Sequence, residues 1–189
     1  FPHFCTMHSL ATKVGGNLGM TLMREEHFKQ FDPKIKCWTE LTEVGSSTSI
    51  VERFEHPVLD WHSICVARKV PTDFEEYVKT LTKSKILSFE DELRIFLNSD
   101  QDLPALCDLY LKRFLAFKAE NQLTNFDDVI SKVAKPGFSN ERIPTFELLI
   151  IDEAQDLSKN LWDFAEKLNH AARTTYIAGD DDQAIMESL

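Results

Sequence analysis

Leu148-Leu149-Ile150-Ile151-Asp152-Glu153-Ala154-Gln155-Asp156 sets two carboxylates directly behind four apolar, β-prone residues, and Ala178-Gly179-Asp180-Asp181-Asp182-Gln183 repeats the arrangement further on. An apolar run without alternation is the pattern of a strand covered on both faces, as in a parallel sheet. The second strand is read over Thr174 to Ala178. Between the two, Leu157, Leu161, Phe164, Leu168 and Ala171 recur at helical spacing, and Asp156 or Ser158 can accept hydrogen bonds from the free N–H groups of the first turn. The unit reads strand, helix, strand, and a right-handed crossover brings both acidic ends to one edge. Ligands of open α/β sheets bind outside the carboxyl ends of the strands, so Asp152 and Glu153 stand where phosphate and magnesium chemistry is done.

Two of these segments carry a family resemblance. Ile150-Ile151-Asp152-Glu153-Ala154-Gln155-Asp156 resembles the Walker B motif, and Ala178-Gly179-Asp180-Asp181-Asp182-Gln183-Ala184-Ile185 the third motif, of the UvrD/Rep group of superfamily 1 DNA helicases. Phe4-Cys5-Thr6-Met7-His8-Ser9-Leu10-Ala11 is similar to that group's Thr-Phe-His-Ser segment, which touches single-stranded DNA. Asn125-Phe126-Asp127-Asp128-Val129-Ile130 is similar to its Asp-Phe-Asp-Asp segment. The resemblance implies an α/β fold: a partial RecA-like (P-loop NTPase) parallel sheet interrupted by a mainly helical inserted subdomain. Residues 1–19 would belong to ATPase domain 1A, 20–140 to the insert 1B, and 141–189 to the rest of 1A.

The implied activity is ATP-dependent movement along single-stranded DNA, 3′ to 5′, with unwinding at duplex junctions. Asp152 would hold Mg²⁺ through a water, since magnesium keeps its waters tightly. Glu153 would orient or deprotonate the attacking water, Gln183 would sense the γ-phosphate of ATP, and Gln155 would link the nucleotide to the DNA side. Thr6, His8 and Ser9 would contact the strand at sugar or phosphate. The third motif departs from the family where Met186-Glu187-Ser188 replace an aromatic-containing triplet, and methionine offers soft apolar surface without a π-face.

No G-x-x-x-x-G-K-[ST] phosphate loop occurs in the chain, and Gly15-Gly16-Asn17-Leu18-Gly19-Met20-Thr21 lacks both its spacing and its lysine. The chain opens at Phe1 and stops four residues after Ile185, which reads as a fragment. The remainder of the same polypeptide would supply the phosphate loop and the arginine fingers, and the fragment alone would be inactive.

A net charge of −10 over 189 residues excludes a broadly basic nucleic-acid coat, so DNA contact is expected to be local. Cysteines at 5, 37, 65 and 107 form no close pairs and suggest neither zinc nor a disulfide framework. With no membrane-length apolar run, the reading is a cytoplasmic protein, nucleoid-associated in a bacterial or phage setting.

The middle of the chain reads as helices. Thr72-Asp73-Phe74-Glu75 and Ser88-Phe89-Glu90-Asp91 resemble capping boxes at helix starts. Leu103, Leu106, Tyr110, Phe114 and Phe117 form one apolar stripe, with Lys112, Arg113 and Lys118 on other faces, and Pro136-Gly137 ends the helical block. Ile35 to Val44 fits a hairpin strand or a turn of helix. Bland readings compete at several positions. Trp38, Trp61, Trp162, Phe114, Phe117 and Phe126 are read as packing residues, Asp127-Asp128 as helix N-terminal charge, and at least one of Asp180 to Asp182 as a solvated turn. Two other function classes remain: a metal-dependent nuclease holding two ions on Asp152, Glu153 and Asp180 to Asp182, and a non-catalytic DNA- or protein-docking module.

Overall fold

The computed structural model describes residues 5–15, 20–44, 47–79, 81, 83–99 and 102–180, with 38–44, 47–54, 76, 83, 84 and 140 described by backbone alone. In chain order its elements are α1 (Met7–Gly15), β1 (Thr21–Leu22), α2 (Glu25–Phe31), β2 (Lys36–Val44), β3 (Ser47–Glu55), α3 (Pro57–Arg68) and α4 (Phe74–Lys79). There follow α5 (Lys83–Leu97), α6 (Leu103–Glu120), β4 (Leu123–Thr124), α7 (Phe126–Ala134), β5 (Phe146–Ile151), α8 (Lys159–His170) and β6 (Ala172–Ile177). The chain divides into two compact units. Residues 1–19, 66–70 and 125–189 form the first, and 20–65 and 71–124 the second.

In the first unit β5 and β6 pair in parallel, with Leu148 opposite Thr174 and Ile151 opposite Ile177. Leu149 and Ile151 point into a core shared with Leu10, Ala11 and Val14 of α1, Val129, Ile130 and Val133 of α7, and Leu161, Phe164 and Leu168 of α8. Phe164 and Leu168 are fully buried, which contributes roughly 1.5–3 kcal/mol each. Gly15 lets α1 approach α7 closely, because a Cβ there would lie 3.2 Å from Val133 Cγ1.

The helix ends are capped by side chains. Asn125 Oδ1 accepts from Asp128 N–H and Asp128 Oδ2 accepts from Asn125 N–H, both at 3.0 Å, a reciprocal capping box at the start of α7. At its other end Lys167 Nζ donates to the carbonyls of Val133 and Lys135, a cation where the helix dipole favours one. Ser158 Oγ accepts from Leu161 N–H at 3.4 Å and starts α8. Residues 66–70 belong to this unit because Asn160 Nδ2 donates to Val66 C=O at 2.6 Å and Lys69 pairs with Asp163.

The second unit has an antiparallel hairpin, β2 with β3, and a short parallel pair, β1 with β4, at its two chain ends. Aromatic rings fill it: Phe31 lies 5.3 Å from Tyr110, 5.2 Å from Phe114 and 5.4 Å from Phe117, and Trp61 packs on Phe74 and Tyr77.

Several expectations are corrected. The β5 run is not covered on both faces: Leu148 and Ile150 are 50% and 62% exposed, because α1, α7 and α8 all pack on the Leu149/Ile151 side. Trp162 is 39% exposed rather than core, whereas Trp61 is buried; the Trp38 side chain lies outside the described residues. Ser88 starts no helix but sits inside α5, where Glu90 and Asp91 pair with Arg94. In α6 the buried line runs through Leu103, Cys107, Leu111, Phe114 and Lys118, so Lys118 lies inside it, its ammonium 5.0 Å from the Phe114 ring centroid. Residues 36–44 are strand. The expected boundary at 140 and the observed division at 124/125 differ by α7, whose apolar face packs on α1 and α8.

His56 is fully buried in the second unit. Its Nδ1 accepts from Val58 N–H at 3.1 Å and Leu59 N–H at 3.3 Å, capping α3, while its ring lies 4.0 Å from Phe96 and 4.5 Å from Tyr110. Burial pushes the imidazole down to about 4, although Asp32 pulls the other way. A proton on Nδ1 would displace both backbone donors, so the folded state requires neutral His56. The stability this confers is fully present above the unfolded value near 6.5 and is lost as pH falls from there toward 4.

Two predictions result. Denaturant unfolding at pH 7.5 and 4.5 should cost the parent chain about 2 kcal/mol more on acidification than it costs His56→Asn, which does not titrate. Asn125→Ala should lower stability by about 1 kcal/mol by removing one side of the capping box, read from the urea midpoint.

Candidate functional site

The acidic site grows out of the way two parallel strands end. Beyond Ile151 and Ile177 the pairing continues: Ala178 N–H donates to Ile151 C=O at 2.8 Å, and Ala154 N–H donates back to Ala178 C=O at 2.9 Å. Asp152 and Glu153 lie between these bonds, and Gly179 and Asp180 follow on the neighbouring strand. The carboxyl ends of β5 and β6 therefore meet, as the strand, helix, strand reading requires.

Glu153 occupies the left-handed region at φ 54° and ψ 42°. Among the described residues three other non-glycine residues have positive φ, Lys69, Asn98 and Gln122, each just beyond the end of a helix, where that conformation is an ordinary terminator. Glu153 follows a strand. Its backbone turns at a cost of roughly 1–3 kcal/mol into the 3₁₀ turn Ala154–Asp156, which carries Gln155 back over the strand end. Strain of this kind gathers at functional sites.

The side chains then interlock. Asp152 Oδ1 accepts from Glu153 N–H at 3.1 Å, Gln155 Nε2 donates to Glu153 Oε2 at 2.6 Å, and Gln155 Oε1 accepts from Asp180 N–H at 3.1 Å. A Cβ on Gly179 would lie 2.8 Å from Gln155 Oε1 and 3.2 Å from Gln155 N, so the absence of a side chain there allows the approach. Asp152, Glu153 and Asp180 are solvent-exposed while Ala154 beneath them is buried: the carboxylates project from a fixed floor. Gln183, Asp181, Asp182 and Met186-Glu187-Ser188 lie outside the described residues.

Hard anionic oxygens on Asp152 and Glu153 suit Mg²⁺. Among the described residues no group of three or more His, Cys, Asp or Glu side chains forms a metal cage.

Thr6, His8 and Ser9 form a second group at the start of α1. Thr6 Oγ1 accepts from Ser9 N–H at 3.2 Å and Thr6 C=O accepts from Leu10 N–H, so Thr6 caps the helix. His8 lies edge-on to Phe126, the first residue of α7, with ring centroids 6.1 Å apart and planes at 88°. Covering of the ring lowers the His8 pKa and Asp127 opposes the shift. Neutral imidazole is therefore the form present at pH 7. Phe126 is 45% exposed, not the packing residue expected, because it overhangs the end of α7 while Val129, Ile130 and Val133 carry the stripe inward. Helical periodicity could not have found it, since position 126 is in phase with that stripe; the Asp-Phe-Asp-Asp likeness was the one signal.

None of the four cysteines is in a disulfide, and among the described residues no helix is long and apolar enough to cross a membrane. Comparison with curated proteins and with solved structures returns no match. A comparison with family models matches residues 2–187 to the UvrD/REP helicase N-terminal domain. With two acidic strand ends joined through Gln155 and a match over almost its whole length, the chain belongs to the UvrD/REP helicase family.

Proposed function

We propose that this chain forms the Walker B and third-motif half of a RecA-like ATPase, together with a helical insert, in a helicase that couples ATP hydrolysis to 3′ to 5′ movement on single-stranded DNA. The observation that carries the proposal is the junction of β5 and β6, where Ala154, Ile151 and Ala178 exchange backbone hydrogen bonds and set Asp152, Glu153 and Asp180 on one edge.

Magnesium, when bound with ATP, neutralises phosphate charge. Asp152 would hold the ion through a water, and Glu153, held by the turn and by Gln155, would direct the attacking water. Gln183 senses the terminal phosphate from the segment that follows Asp180. The exposed apolar row of Leu148, Ile150 and Tyr176 is the kind of surface a further layer of the same polypeptide would cover, together with its phosphate loop and arginine fingers.

On the DNA side, Phe126 offers an exposed aromatic surface for a base, and His8, neutral at pH 7, adds an N–H to a phosphate or sugar oxygen without adding charge. An acidic chain can thus hold a strand by stacking and a few local contacts instead of by a basic coat.

In the complete polypeptide, Glu153→Gln should lower DNA-stimulated ATP turnover roughly 10²–10⁴-fold with the KM for ATP little changed. Unaltered turnover would refute the assignment. Phe126→Ala should weaken single-stranded DNA binding about tenfold in a fluorescence titration, in line with the roughly 1–3 kcal/mol of one stacked base. Tight Mn²⁺ or Mg²⁺ binding in calorimetry without nucleotide would favour a two-ion nuclease instead.

A further inference from the structure

We infer that Gln155 is a positioning residue, a latch that ties the carboxylate of Glu153 to the backbone at the end of β6, so that movement of residues 178–180 is felt by Glu153. The inference rests on Glu153 being the water-directing carboxylate of the proposed ATPase.

The orientation of the Gln155 amide is fixed by its partners. A backbone N–H can only donate, so the atom facing Asp180 N–H is the oxygen, Oε1, at 3.1 Å. An ionised carboxylate can only accept, so the atom facing Glu153 Oε2 is the nitrogen, at 2.6 Å. The two ends of one planar group are thus assigned to two strands. Rotating the amide to follow Asp180 withdraws its N–H from Glu153, and neither bond can be kept by flipping it.

Three further features make the latch stiff. Gln155 sits in a 3₁₀ turn whose first N–H, that of Ala154, is bonded to Ala178 C=O, so its backbone is anchored to the strand its side chain reads. Gly179 leaves room for Oε1 and for nothing larger, since a Cβ there would approach it to 2.8 Å. Glu153 is held in the left-handed conformation, which fixes the direction in which its side chain leaves the backbone. With Oε2 engaged by Gln155, Oε1 of Glu153 is the oxygen left to face a water. In sequence the proposed phosphate sensor, Gln183, follows Asp180 by three residues.

The test separates the latch from the activity. Hydrogen exchange at the Asp180 amide, followed by NMR in the 189-residue chain, should speed up about tenfold in Gln155→Leu, the loss of one ordinary hydrogen bond, with the amides of Leu149 and Ile151 unchanged as the control for folding. Gly179→Ala, which pushes Oε1 aside without altering either carboxylate, should do the same. Gln155→Glu sets two carboxylates against each other and should also accelerate exchange. Adding Glu153→Gln to it exchanges donor and acceptor across the pair and should restore slow exchange.

Asp180 exchange that is indifferent to Gln155→Leu, or a Gln155→Glu effect that Glu153→Gln does not reverse, would overturn the latch. In the complete polypeptide, Gln155→Leu should reduce the stimulation of kcat by DNA while leaving the KM for ATP in place, and a change confined to KM would also count against it. Should the unaltered polypeptide show no ATP turnover, the ATPase reading fails while the exchange results still decide whether the latch exists.

Discussion

A pair of backbone hydrogen bonds, Ala178 N–H to Ile151 C=O and Ala154 N–H to Ala178 C=O, holds the candidate site together. They extend the β5–β6 ladder one step past the regular strands, which forces the chain after Ile151 to turn sharply while still paired. Glu153 takes the left-handed conformation to make that turn, Gln155 is carried back over the strand end, and Gly179 gives way to it. The acidic residues need no mutual attraction to assemble: the ladder and the core under Ala154 bring them together, and their charges face solvent.

The strand, helix, strand unit was legible because its parts agree at every level. The apolar spacing of α8, its Ser158 cap and the β-prone runs on either side all point to one arrangement. The one-sided burial of β5 was not legible, since Leu148 and Ile150 look the same in sequence whether covered or open. Asp152 and Glu153 were evident as the acidic end of β5. Phe126 was not, because exposure at a helix end leaves no periodic mark.

The second unit hides its features differently. Lys118 looks like a solvent-facing charge in α6, yet its ammonium rests over Phe114 while its stem fills the buried line. His56 carries no motif at all, and its setting against Phe96 and Tyr110 depends on rings 40 and 54 residues away in sequence. The hairpin of β2 and β3 stayed ambiguous because alternation over residues 36–44 is mixed with charge. In each case tertiary neighbours decide what local pattern leaves open.

The parallel pairing of β1 with β4 also bears on the order in which the molecule assembles. Helix α1 has nine residues, too few to persist alone in water, and its partner α7 is synthesised more than a hundred residues later. Bringing Thr21 beside Leu123 shortens that separation to a few residues on each side, so α1 and α7 then meet across a short closure instead of a long one. Folding of residues 20–124 thus shortens the loop that α1 and α7 must close.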